Sequence, residues 1–316
     1  MTAPTILIAG ATGNTGPSVV ETLSRLSGTE GVLTDYRILA LTRSLQGAAA
    51  QRLACLPRVE VQEKSWVEVT SAWLRQQNVE RAFIAPHGQP SAFAEESAFH
   101  AAALGAGVRH VVRISTNAPN VRPDTPVYYA RAHWAVETLL ASPEFKAMGW
   151  TSLQGNCFSP LYLSSAAEFV RGFRAGRRED TLKLIASKDA PVGIVHPADI
   201  GAVAAHILAQ RDLTKHNKAK YILNGPEDIT GQQIVQLVEQ AIGANVKDVH
   251  YNDLSFVDYM LAETRESHNV ILSLKHAFDV VWDGQCTAST TSEEILQLGL
   301  LRHTPTEVFR SLLEDR

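Results

Sequence analysis

Gly10, Gly13 and Gly16 recur at every third position directly after an apolar run at 5–9. Glycines at that spacing suit one kind of chemistry, the holding of a dinucleotide by its pyrophosphate. The first allows a sharp turn off a strand. The second lets backbone N–H groups approach a phosphate with no Cβ in the way, and the third lets a helix pack closely on the strand. The positive end of that helix dipole then faces the phosphates. Thr12, Asn14 and Thr15 lie in the same turn and are assigned with the glycines to cofactor binding. Val19, Val20, Leu23 and Leu26 follow at helical spacing, so the glycines stand between a strand and a helix, where such a turn works.

A second informative position is the end of the next apolar run, at 36–41. An acid there would bind the ribose hydroxyls of NAD; this chain has Thr42 and Arg43 instead. A guanidinium at that point clamps a 2′-phosphate and stacks on adenine, which favours NADP. The alternative is an ordinary surface arginine at a strand end.

These residues need elements to position them. Strand patterns at 5–9, 36–41, 59–62, 81–85, 110–115 and 150–154 alternate with helical ones at 48–53, 67–76, 92–104 and 128–140. Ser91 is placed as the N-cap of the third of these helices. The alternation predicts an α/β fold, a Rossmann doubly wound parallel sheet. Beyond it come a helix at 158–173, a short strand at 181–185, a segment at 192–195 leading into a helix through 209, a strand at 221–224 and a capped helix at 230–242. The rest reads as mostly helical. The expected organisation is an NADP-binding Rossmann domain over 1–155, with 190–225 returning to it. A smaller, discontinuous α+β substrate lobe is built from 156–189 and 226–316, with the cleft expected between the two.

The 316 residues are 45% apolar and carry a net charge of −4, with acids and bases mixed. That suits an enzyme-sized chain with a sizeable core and gives no nucleic-acid footprint. The basic run at 171–178 (RGFRAGRR) reads as a solvated helix end. Three scattered cysteines and eleven scattered histidines argue against a disulfide scaffold or a metal site. A strand by residue 5 leaves no room for a signal peptide, and no apolar run spans a bilayer, so a cytoplasmic, non-membrane protein is expected. No GxSxG, HExxH or paired-carboxylate motif is present, and Asp199 is placed as a helix cap.

The run at 6–16 (ILIAGATGNTG), the Thr42-Arg43 strand end and the run at 106–115 (AGVRHVVRIS) resemble the NmrA-like family of atypical short-chain dehydrogenases. So do 196–201 (HPADIG), 221–230 (YILNGPEDIT) and the ending at 294–312. The resemblance covers nearly the whole chain and is nearest to the quinone and triphenylmethane reductase-like branch. It implies NADPH as cofactor and a small-molecule substrate. It also implies a catalytic set of Ser, Tyr and a Lys four residues after the Tyr. Here Ser115 and Tyr129 match, and His133 stands at the lysine position, as it does in the quinone-reductase-like branch. A histidine there gives weaker electrostatic support than lysine, and either positions the nicotinamide ribose or donates a proton. Tyr128 is the alternative to Tyr129, and Arg131 is expected to face solvent.

The family pattern Thr-x-x-Arg-Pro becomes TSLQG at 151–155, with Gln154 and Gly155 in place of Arg and Pro. The backbone of Asn156, Cys157 and Phe158 is expected near the nicotinamide. Pro86 and His87 are expected to line the same pocket, and Lys64 the adenine side. Together these features imply an NADPH-dependent reductase of a small carbonyl, quinone or conjugated substrate. Two alternatives stand beside it: a non-catalytic NAD(P) sensor with a protein partner, and a redox-neutral biosynthetic enzyme. Monomer and homodimer are both open.

Overall fold

Apolar runs too short for helices determine where the sheet forms. The computed structural model describes residues 3–28, 33, 35–177 and 181–314; Arg178 of the basic run lies outside them. In its first half β1 (Thr5–Ala9), α1 (Gly16–Ser27), β2 (Arg37–Thr42), α2 (Ala48–Ala54), β3 (Val59–Glu63) and α3 (Ser71–Gln76) alternate. β4 (Val79–Ile84), α4 (Ala92–Ala106), β5 (His110–Ile114), α5 (Tyr128–Ala141) and β6 (Gly149–Gly155) continue the pattern. Then come α6 (Ser159–Arg174), β7 (Thr181–Lys183), α7 (Pro197–Leu208), β8 (Ala219–Leu223), α8 (Gly231–Ile242) and β9 (Asp248–His250). Short helices finish the chain: α9 (Ser255–Glu263), α10 (His268–Leu272), α11 (Asp279–Trp282), α12 (Glu293–Leu298) and α13 (Pro305–Glu314).

Seven strands form one sheet in the order β3-β2-β1-β4-β5-β6-β8. The pairs β1–β2, β1–β4, β2–β3, β4–β5 and β5–β6 are all parallel. This is the Rossmann arrangement that the alternation of elements predicts. β1 and β5 are buried along their whole length, as strands covered on both faces must be. One face carries Leu7, Leu39, Ala82, Val111 and Trp150, packed with Phe99 and Ala103 of α4 and Val136 and Leu140 of α5. On the opposite face α1 packs against α7.

The chain clusters into two units. The first comprises Met1–Ser115, Tyr129–Gln154 and Pro197–Tyr221; the second comprises Thr116–Tyr128, Gly155–His196 and Ile222–Arg316. The sheet lies in the first, save the last residues of β6 and β8. The second has its own core, in which Leu163, Ala167 and Val170 of α6 meet Ile234 and Val238 of α8 and Val308 and Phe309 of α13.

Several elements depart from the sequence reading. The helix expected at 67–76 is a 3-10 turn, Trp66–Glu68, followed by α3. Val69 and Thr70 adopt extended backbone, and the Thr70 hydroxyl accepts from the Trp73 N–H to cap the new helix. The strand expected at 181–185 shortens to β7, which pairs in parallel with β9, a strand with no pattern of its own. Residues 192–195 make only isolated bridges, to Ile229 and Phe158. Asp199 lies buried inside the first turn of α7, where a carboxylate suits the positive end of the helix. Ser91 does occupy the N-cap of α4, although its side chain makes no capping bond. Arg131 is exposed.

Candidate active site

The turn after β1 is a cradle that any side chain would fill. Gly10 has φ +85°, a conformation that L residues rarely adopt. The Gly13 N–H donates back to the Gly10 carbonyl at 3.0 Å. A Cβ on Gly16 would lie 2.1 Å from that same carbonyl oxygen. α1 then begins at Gly16 with Thr15 at its N-cap and no side-chain capping bond, so its first N–H groups point out of the helix unclaimed by a cap. Thr15 is buried, whereas Gly13 and Asn14 are exposed. A glycine cradle at an uncapped helix N-terminus fits the pyrophosphate of a dinucleotide.

The cradle is tied to the end of β2. The Ala11 N–H donates to the Leu41 carbonyl at 3.2 Å, and the Thr12 and Thr42 hydroxyls meet at 3.2 Å. Arg43 follows at once, with its side chain exposed. The Lys64 N–H donates to the Thr42 carbonyl, while its ammonium lies over the Trp73 ring, 5.4 Å from the centroid. After β4, Pro86 leads to His87, and both ring nitrogens of His87 are engaged. Nε2 bonds the Glu95 carboxylate, and Nδ1 accepts from the Gln89 N–H at 3.3 Å.

At the carboxyl ends of β5 and β6 the apolar face turns polar. The same alternation that points Val111 into the core points Arg113 and then Ser115 to that side; on β6 it does so for Trp150, Ser152 and Gln154. Arg113 is 0% exposed. Its guanidinium grips Glu96 of α4 with Nε at 2.6 Å and Nη2 at 3.0 Å. Nη1 donates to the Ser152 hydroxyl at 3.0 Å, and Nη2 also donates to Nδ1 of His133 at 2.7 Å. Glu137, one turn after His133 on α5, is 0% exposed. It accepts from the Ser152 hydroxyl at 2.7 Å and from the Gln154 amide at 3.2 Å, and it pairs with the Lys220 ammonium at 3.0 Å.

Buried charges persist only when paired, and this set is balanced, with Arg113 and Lys220 facing Glu96 and Glu137. Burial alone would raise both carboxyls, but the Arg113 guanidinium acts together with His100 on Glu96, and with Ser152 and Lys220 on Glu137, to hold each below the ordinary range. For His133, burial first and Arg113 second lower the pKa to about 4.

Of the expected catalytic residues, His133 and Tyr129 stand together, their rings edge-to-face with centroids 6.4 Å apart. Ser115 is 6% exposed, and its hydroxyl has no hydrogen-bond partner among the described residues. A buried hydroxyl without a partner is costly, and its place beyond the end of β5 is where ligands of such sheets bind. In the second unit the Asn156 side chain is fully engaged. Its amide donates to the Gly193 and Cys286 carbonyls at 3.0 and 3.3 Å, and its carbonyl accepts from Asn117. Burial pushes the Cys157 thiol up to about 12, which leaves no thiolate at neutral pH. Phe158 is the N-cap of α6.

Sequence reasoning overlooked Arg113, Glu96, Ser152 and Lys220, and gave Glu137 and Gln154 no role. One signal was available: an arginine inside the apolar strand HVVRI must find a buried carboxylate.

Among the described residues, no helix is long and apolar enough to cross a membrane, and no cluster of three His, Cys, Asp or Glu is set to hold a metal. The model of the NmrA-like family matches residues 2–297. In structure the chain is similar to an NADPH-dependent quinone oxidoreductase of Escherichia coli, solved with NADPH. The two are 21% identical over 97% of this chain and 99% of that one, with TM-score 0.71. It is also similar to the triphenylmethane reductase of a Citrobacter species, solved with NADP(H), at 20% identity over 98% and 100% of the chains, TM-score 0.70. NmrA, a negative transcriptional regulator, is 14% identical over 99% and 96%, also with TM-score 0.70. Identities this low show the shared fold alone. A (4-alkanoyl-5-oxo-2,5-dihydrofuran-3-yl)methyl phosphate reductase of Streptomyces griseus is 29% identical over 143 residues. That stretch is 45% of each chain, so the match spans under half of the relative's length.

Proposed function

From the premise that the chain belongs to the NmrA-like family, we propose that it is an NADPH-dependent reductase acting on a small carbonyl, quinone or conjugated acceptor. The observation that carries this reading is the Gly10–Gly16 cradle at the uncapped start of α1. When bound there, NADPH supplies the hydride; position and electrostatics are left to the protein.

In this reading Gly10 and Gly13 shape the turn, the backbone N–H groups of Thr12, Asn14, Thr15 and Gly16 hold the pyrophosphate, and Arg43 clamps the 2′-phosphate. Lys64, already over Trp73, borders the adenine side, and Pro86 and His87 border the nicotinamide side. His87 gives shape rather than a free donor, because Glu95 and Gln89 hold its ring. His133 binds the nicotinamide ribose. The Ser115 hydroxyl donates to the acceptor oxygen, and Tyr129 returns the proton that a reduced carbonyl needs. Asn156, Cys157 and Phe158 are assigned to the cofactor through backbone groups, since the Asn156 amide is engaged and the Cys157 thiol stays protonated.

A second reading, a cofactor sensor without turnover, is favoured by one observation: position 133 holds a histidine that stays neutral where a lysine would carry charge. Stopped-flow absorbance at the reduced nicotinamide band, with NADPH and a panel of quinones, enals and aryl ketones, separates the two. Turnover that falls in His133→Ala supports the reductase. Tight NADPH binding with no turnover across the panel transfers the assignment to the sensor.

A further inference from the structure

We propose that Arg113 is a positioning residue that locks His133 as the neutral tautomer protonated on Nε2, making His133 a fixed hydrogen-bond donor and not a source of protons. The claim rests on the reading that His133 serves the cofactor. It begins from an asymmetry of hydrogen bonding: a guanidinium carries only donors. The Arg113 Nη2 donor lies 2.7 Å from Nδ1 of His133, so Nδ1 must accept and the ring's proton resides on Nε2. Nε2 has no hydrogen-bond partner among the described residues.

Arg113 cannot swing away to let the ring turn over. Nε and Nη2 are fixed on Glu96, and Nη1 is fixed on Ser152. Glu96 is itself held by His100 from the next turn of α4, at 3.3 Å. The charged and titratable groups of this arrangement are Arg113 on β5, Glu96 and His100 on α4, Tyr129 and Glu137 on α5, and Lys220 reaching Glu137 from β8. The buried Arg113 and the exposed Lys220 already balance two buried carboxylates. An imidazolium at 133 would add an uncompensated charge and set a donor against a donor. The depressed pKa of His133 agrees with that geometry.

The consequence divides labour within the site. Nε2–H is the only hydrogen-bonding group His133 has left, and it suits a ribose hydroxyl. The proton for a substrate oxygen must come from another group, with the Tyr129 hydroxyl the nearest candidate on the same helix.

The test is a long-range proton–nitrogen NMR spectrum of the full chain labelled with 15N-histidine, with the His133 signals assigned by their loss in His133→Gln. The wild-type ring is expected to show the Nε2–H pattern at pH 7 and to keep it down to pH 5. An Nδ1–H pattern, or titration of the ring between pH 5 and 8, overturns the proposal. That measurement needs no Arg113 variant, so misfolding cannot conceal the answer. Arg113→Met is expected to let the ring titrate in this window, whereas Arg113→Lys, which keeps a charged donor, preserves the lock. An Arg113→Met protein whose His133 keeps the wild-type pattern removes Arg113 from its assigned role.

NADPH affinity supplies the functional half. His133→Gln is expected to weaken binding about five- to tenfold, the worth of one hydrogen bond. An unchanged affinity refutes the positioning role. If the wild type binds no NADPH at all, the reductase reading fails while the spectrum still decides the tautomer.

Discussion

Gly16→Ala tests the cradle most sharply, because the obstacle is backbone. The added Cβ would lie 2.1 Å from the Gly10 carbonyl oxygen and 2.6 and 2.7 Å from Cα and C of Ala11. Ordinary contact begins near 3.4 Å, so the Cβ overlaps the oxygen by more than 1 Å and both carbons by more than half an ångström, and none of these backbone atoms has a rotamer to escape by. The turn must open. Forcing extra atoms into a packed site costs typically about 1–3 kcal/mol. For a chain of this size that lowers the melting temperature by roughly 2–4 °C per kcal/mol. Strain that displaces the phosphate-facing N–H groups also appears in affinity, where each 1.4 kcal/mol is about tenfold. NADPH binding should weaken by about ten- to a hundredfold. The assay is titration of cofactor fluorescence beside a thermal melt. Gly28→Ala is the control, since Gly28 ends α1 with φ −84°, and among the described residues its Cβ would meet only the Arg25 carbonyl at 3.5 Å. A Gly16→Ala protein with wild-type melting temperature and wild-type affinity refutes the assignment of the phosphate site to this turn.

Three further outcomes are expected. Ser115→Ala removes a buried hydroxyl that has no partner among the described residues, so the melting temperature should rise, by the equivalent of about 1 kcal/mol, while turnover falls; lower stability with unchanged turnover contradicts the role given to Ser115. Arg43→Ala should weaken NADPH by about ten- to a hundredfold, the worth of a charge-assisted contact or two, and leave NADH nearly unaffected; equal loss for both cofactors argues against 2′-phosphate recognition. Stability should decline on acidification below about pH 6.5, the ordinary histidine value. Burial lowers His110 to about 3 and His133 to about 4. Between those values and 6.5 the unfolded chain takes up protons that the folded chain refuses, so each of these histidines subtracts at most about 1.4 kcal/mol per pH unit as pH falls. Denaturant titrations at pH 5 and pH 7 measure the difference, and equal stabilities would contradict the buried neutral rings.

Local chemistry was legible from the residues alone. β1, the glycine turn and α1 are written in one stretch, because strand burial, positive φ and a helix start each depend on neighbours in sequence. The same holds for α8, whose Thr230–Gln233 capping box and left-handed Gly243 mark its two ends. Periodicity predicted most strands within a residue or two, since burial on both faces leaves a continuous apolar run. Where the signal was tertiary, the reading lapsed. β9 has three residues, of which only Val249 is apolar, and it exists because β7 lies beside it. The break at Thr70 depends on a hydroxyl competing for one N–H. Above all, the Arg113 network joins residues 17, 20 and 39 positions away, on α4, α5 and β6, with no spacing that a helix or strand period reveals. Composition and pattern determined that this chain would build a doubly wound parallel sheet with a glycine turn after its first strand. Only folding decided that the histidine in the lysine position faces an arginine, because electrostatic partners are chosen by distance in space and burial, and sequence separation constrains neither.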